Sequence, residues 1–159
     1  MAAIKRTRAL ILLGCLLLCG CSSPEVGTID TIYISETLWG QTFPEYKIDL
    51  QNKEVWSYTV PSVEDYKPRD TTAENEGFVF VGNLTDDEVA EFLEDCKEYR
   101  FTSWNELYED DSVSDSVWYR IEIRYQDGST QTVAAFNKYP KTWNEMMGSI
   151  SQLISRAEH

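Results

Sequence analysis

Histidine is almost missing from this chain: its one histidine is the last residue, His159. Ser-His-Asp and Cys-His nucleophilic catalysis therefore lack a base, and histidine-dependent zinc sites are excluded as well. Cysteine is scarce. Of four, Cys15, Cys19 and Cys21 crowd the N-terminus and Cys96 stands alone, which excludes a four-cysteine metal site in the body of the chain. Neither a GxGxxG fingerprint nor a P-loop occurs. Positive charge is in deficit, with 14 Lys and Arg against 27 Asp and Glu and a formal charge of −13. That balance argues against nucleic acid as a partner and against electrostatic docking on anionic lipid. The main apolar run, residues 9–19, is 11 residues long, whereas a helical membrane span needs about 20.

That run has a different use. Lys5, Arg6 and Arg8 precede it and small residues follow it, the order of a secretory signal. Leu18-Cys19-Gly20-Cys21 then resembles the lipobox of bacterial lipoproteins, an aliphatic residue and two small or uncharged ones before an invariant cysteine. Cys19 stands where Ala, Ser or Thr is usual. The resemblance covers residues 1–21. It implies cleavage before Cys21, a diacylglyceryl thioether on its sulfur, fatty acylation such as palmitate, and a location on the extracytoplasmic face of the cell membrane or envelope. The alternative is an ordinary signal peptide cut nearby. Two or more acyl chains hold a protein stably to a bilayer where one does not. Removing residues 1–20 takes three basic residues and two cysteines, and lowers the formal charge to −16. With Cys21 committed to lipid, Cys96 is left without a disulfide partner.

The chain divides into a signal (residues 1–20), a lipidated N-terminus with a short tether (21–28) and one domain (29–157). The expected fold class is α+β: an antiparallel sheet of about six strands with two main helices packed on one face. Strands are expected at 28–35, 46–50, 55–60, 77–82, 117–125 and 130–137, from β-branched and aromatic enrichment and alternation. Residues 36–43 read as a loop closed by Pro44. Residues 61–76 read as a long polar loop, of the kind that is often functional.

The most secure helix is 85–99. Thr85 and Glu88 make a capping box, Leu84 can staple onto Val89, and Val89, Phe92, Leu93 and Cys96 form a core stripe. On that stripe Cys96 reads as a buried, inert thiol. Ser103 and Glu106 repeat the capping spacing and suggest a short helix over 103–109. Thr142 and Glu145 suggest a third box opening a helix over 142–155, with Trp143, Met146, Met147, Ile150, Leu153 and Ile154 facing the sheet. Residues 156–159 are expected to fray.

Asp127-Gly128 is a two-residue hairpin signal. Folding about it pairs Tyr125 with Thr130, Ile123 with Thr132, Ile121 with Ala134 and Tyr119 with Phe136. The other face of that hairpin then carries Trp118, Arg120, Glu122, Arg124, Gln131 and Asn137.

Trp118, Arg120 and Arg124 are the candidate binding residues, because arginine beside an aromatic suits carboxylate or sugar recognition. A ladder in which Glu122 neutralises both arginines is the competing reading. Trp143 reads as core, while Trp39, Trp56, Trp104 and Trp118 stay undetermined between core and surface. Asp110, Asp111, Ser112, Ser114 and Asp115 could offer oxygens to calcium but lack the EF-hand spacing, so a solvated acidic loop is expected.

Phe136-Asn137-Lys138-Tyr139-Pro140, followed by Trp143 and its helix, resembles the ending of small secreted domains of Gram-positive bacteria without assigned function. The similarity covers residues 78–154, with Asp115-Ser116 where Asp-Gly is usual. It implies the fold and transfers no site residues.

The reading favoured is a membrane-anchored binding or interaction module. Its partners are the bilayer, through the acyl chains, and an envelope protein or glycan. No catalytic residue, metal ligand or cofactor is assigned. One alternative is an envelope hydrolase using paired carboxylates, although among 27 acids some pair will always lie close. The other is a structural or inhibitory envelope protein.

Overall fold

A computed structural model of the chain describes residues 25–38, 41–58, 77–110, 112 and 118–159. The signal, Cys21 and residues 22–24 of the tether, Trp39, the 61–76 loop and most of the acidic loop lie outside the described residues.

The architecture is α+β, as the sequence indicates, built on a single sheet. After a short 3-10 turn, Val26–Thr28, come β1 (Ile29–Leu38), β2 (Gln41–Asp49), β3 (Glu54–Tyr58) and β4 (Phe78–Asn83). The helix α1 (Asp86–Glu98) and a 3-10 turn, Phe101–Ser103, lead to β5 (Leu107–Glu109), β6 (Trp118–Tyr125), β7 (Thr130–Phe136) and the helix α2 (Trp143–Ala157). Among the described residues the sheet has seven strands in the order β4-β3-β2-β1-β6-β7-β5. It is mixed, because β5 runs parallel to β7; the expectation of about six antiparallel strands is corrected on both counts.

Three further corrections each concern one segment. Residues 36–38 and 41–43, expected in a loop, are strand: β1 and β2 pair as far as Leu38 with Gln41. Pro44 sits beside the register shift opposite Ser35, where an interrupted ladder tolerates a residue without an N–H. The 103–109 segment is a 3-10 turn and then a strand, so the Ser103/Glu106 spacing opens no helix. Thr142 does not cap α2. Its hydroxyl donates to the Tyr99 carbonyl (2.7 Å) and accepts from Trp104 Nε1 (3.3 Å), joining three segments.

The hairpin register also differs. Arg124 pairs with Thr130, Ile121 with Val133 and Tyr119 with Ala135, one residue away from the expected pairing. Gln126, Asp127 and Gly128 form a three-residue loop. The Gly128 N–H donates to the Tyr125 carbonyl (2.9 Å) and Gly128 has φ +83°, the geometry of a type I turn followed by a left-handed bulge residue. Because side chains alternate with period two, that single step exchanges the faces of β7. Val133 and Ala135 are buried and Gln131 points inward, while Thr130, Thr132, Ala134 and Phe136 share the outer face with Arg120 and Arg124.

The α1 cap forms as expected. Thr85 and Glu88 exchange both capping hydrogen bonds, and Leu84 is buried. Phe92 and Cys96 of α1 and Met146, Ile150 and Leu153 of α2 lie in one core with Ile32, Ile34, Ile48, Val55, Ile121 and Ile123 of the sheet. Each such side chain contributes roughly 1.5–3 kcal/mol through removal from water. The chain end does not fray at Arg156: α2 continues to Ala157, which is buried, and Arg156 pairs with Glu91 of α1. Both helices therefore cover one face of the sheet. No helix among the described residues is long and apolar enough to cross a membrane.

Candidate functional site

Alternation puts one set of side chains from each strand under the helices and the other set on the opposite face. Where β1 begins, β2 ends and β6 ends, that second face holds a cleft of about 380 Å³. Its floor is formed by Thr31 of β1 and by Lys47 and Asp49 of β2. These are three of the four buried polar or charged residues described, with exposures of 5%, 8% and 8%. The strand register brings them together: Thr31 lies opposite Asp49, and Tyr33 opposite Lys47.

One wall is the turn between β2 and β3. Asp49 caps it, accepting from the Asn52 backbone N–H (2.8 Å) and from Asn52 Nδ2 (3.0 Å). Lys47 Nζ stands 3.8 Å from Asp49 Oδ2. Glu54 and Trp56 of β3 continue the wall, with Trp56 Nε1 donating to Glu54 Oε2 (3.2 Å). The Trp56 ring is braced edge-on by Phe80 at 5.2 Å. On the far side, the Arg124 guanidinium lies 4.5 Å from the centre of the Tyr33 ring, an attraction between cation and ring face. Asp30 and Gln51 complete the rim.

The three residues singled out from the sequence share this face but not one site. Arg124 lines the cleft. Trp118 lies six residues back along β6, roughly 20 Å away at strand spacing, and stacks on Phe136 with ring centres 4.5 Å apart. Arg120, between them, pairs with Glu122 at 3.6 Å, and Arg124 Nε donates to the same carboxylate at 3.0 Å. Glu122 thus bridges both arginines as the ladder reading has it, and Arg124 is the one arginine of that ladder that also reaches the cleft.

Of the remaining tryptophans, Trp104 and Trp143 are buried, with ring centres 5.6 Å apart. Trp56 is half-buried on the open face. In the sequence Trp56 stands undetermined between core and surface, and Tyr33, Lys47, Asp49 and Glu54 are not marked as site residues. The signal present was the alternation of Lys47 and Asp49 with Tyr46 and Ile48. It gives their face, and only the strand order gives their neighbours.

Cys96 is buried. Burial, reinforced by the nearby Asp95 carboxylate, pushes its thiol far above the usual range, which keeps it protonated and unreactive at neutral pH. Among the described residues, no group of three or more His, Cys, Asp or Glu side chains is arranged to hold a metal ion.

No protein-family model, curated protein or solved structure matches the chain.

Proposed function

We propose that the chain is a lipid-anchored, extracytoplasmic binding module of the bacterial cell envelope, without a catalytic step of its own, and that it recognises its partner on the sheet face left open by the helices. The observation that carries the recognition part is the buried polar floor. Taking an ammonium and a carboxylate out of water on a sheet face costs stability, and well-packed apolar residues would serve the fold as well or better. Local violations of that kind concentrate at functional surfaces. Open aromatic and polar groups beside the floor suit an envelope protein or glycan. The surplus of acids opposes nucleic acid.

The anchor rests on Leu18-Cys19-Gly20-Cys21. From Cys21 to Asp30 on the cleft rim is nine residues, at most about 32 Å of extended chain, so the cleft works close to the bilayer surface.

The test uses the full chain produced in a bacterium with radioactive palmitate, plus a photoactivatable residue at either Arg120 on the open sheet face or Ser151 on α2. The expected result is a labelled, membrane-bound protein whose label disappears in Cys21→Ala, with crosslinked partners from position 120 and none from 151. Label that persists in Cys21→Ala sinks the anchor. Crosslinks confined to position 151 sink the recognition face.

A further inference from the structure

We infer that the cleft bounded by Thr31, Lys47, Asp49, Asn52 and Trp56 is a site for a small neutral sugar, one or two rings long. This rests on the reading of the chain as a binding module and gives that module a ligand class.

Size is the first argument. At about 380 Å³ the cleft falls at the small end of the range for small-molecule sites, about 300–1,000 Å³. That accommodates a mono- or disaccharide rather than a folded partner.

The chemistry of the lining is the second. Such sites are ordinarily apolar with a few polar groups; here the proportion is reversed. The apolar contribution comes from aromatic rings, Trp56 and Tyr33, each held by a neighbour: Phe80 against the first and Arg124 over the second. Around them stand acceptors on Asp30, Asp49 and Glu54, donors on Lys47 and Arg124, and groups on Thr31, Gln51 and Asn52 that donate and accept. A sugar ring presents the complement, with a C–H face for an aromatic ring and neighbouring hydroxyls that both give and take hydrogen bonds.

Charge is the third. Three acids and two bases line the cleft. Lys47 faces Asp49, and Arg124 is engaged by Glu122. An anionic ligand would compete with those carboxylates for the same two cations and meet a negative surplus. A peptide or nucleotide phosphate fits poorly for the same reason. A neutral polyol joins the network without displacing a charge.

The ring can come from a free envelope saccharide or from the headgroup of a glycolipid in the anchoring membrane, and two arms separate them. The full lipidated chain is held in a detergent without a sugar headgroup. It is titrated by calorimetry and tryptophan fluorescence with neutral disaccharides, and in parallel with uronic acids and amino sugars. The second arm uses vesicles carrying a neutral glycosyl-diacylglycerol.

Binding of neutral sugars in either arm is expected. Trp56→Ala should weaken it at least tenfold in a protein that still folds, at a urea midpoint lowered by loss of the Phe80 contact, and Gln51→Ala, on the exposed turn, should weaken it several-fold with an unchanged midpoint. Equal or tighter binding of uronic acids or amino sugars overturns the assignment, as does neutral-sugar binding that both variants leave intact. Silence in both arms while crosslinks from position 120 persist overturns the sugar and leaves the binding module standing. Loss of those crosslinks as well removes both.

Discussion

Tyr125 shows how one residue's surroundings set its chemistry. Its ring is 3% exposed at the end of β6, and its hydroxyl donates to Gln131 Oε1 at 2.7 Å. Burial, with smaller contributions from Cys96 and Asp127, pushes the phenol up to about 12. In the unfolded chain it ionises near 10. Between those values the unfolded state releases the proton first, so the contribution is intact below pH 10 and is lost as the pH rises to 12. Two units correspond to about 2–3 kcal/mol. Guanidinium unfolding of the wild type between pH 9.5 and 12 should therefore weaken more steeply than that of Tyr125→Phe. Parallel slopes would show that the phenol is not protected. The same residue shows what the sequence conceals. Alternation places Tyr125 on the inner face, but its partner Gln131 was expected outside, and only the bulge at Gly128 turns it inward.

Among the elements, α1 was legible almost residue by residue because its signals are local: a cap at Thr85, acids in the first turn and an apolar stripe at helical spacing. The β5 segment was not. Its capping-box spacing was genuine, but Ala134 N–H donates to the Glu106 carbonyl (2.8 Å) and Asp110 N–H to the Phe136 carbonyl (3.1 Å). Pairing with β7 offers those groups partners that a single helical turn could not match. The end of α2 was missed for a similar reason, since what holds Ala157 is distant in sequence. A Cβ built on Gly82 of β4 would stand 1.8 Å from the Ala157 carbonyl oxygen. Backbone lies on both sides of that contact, so neither can step aside by changing rotamer. Gly82→Ala should then destabilise the protein by about 3 kcal/mol, the upper end of overpacking effects, read as a lower urea midpoint. An unchanged midpoint would mean that strand and helix do not approach so closely.

At the scale of the molecule, the sheet order puts β1 and β6 at the centre and β5 at an edge. The central pair shares eight register positions, whereas β5 pairs over three residues on one side. Native-state hydrogen exchange should find amides of β1 and β6 opening only with global unfolding. Those of Leu107–Glu109 should exchange through a lower-energy local opening; equal protection would contradict the edge assignment.

The proposed cleft belongs to this scale too, assembled from four strands and a turn spread over residues 30–124. Legible in the amino-acid order are the class of fold, the helix α1, most of the core set of α2, the burial of Cys96 and the face on which Arg120 and Arg124 lie. Each of these follows from periodicity, capping or composition within one segment. Tertiary structure alone decided the order of the strands, the parallel β5, the register of β7 and the meeting of Lys47, Asp49, Trp56 and Arg124. A strand's pattern specifies which face it buries, while its neighbours are chosen by pairing energies between segments far apart in the chain.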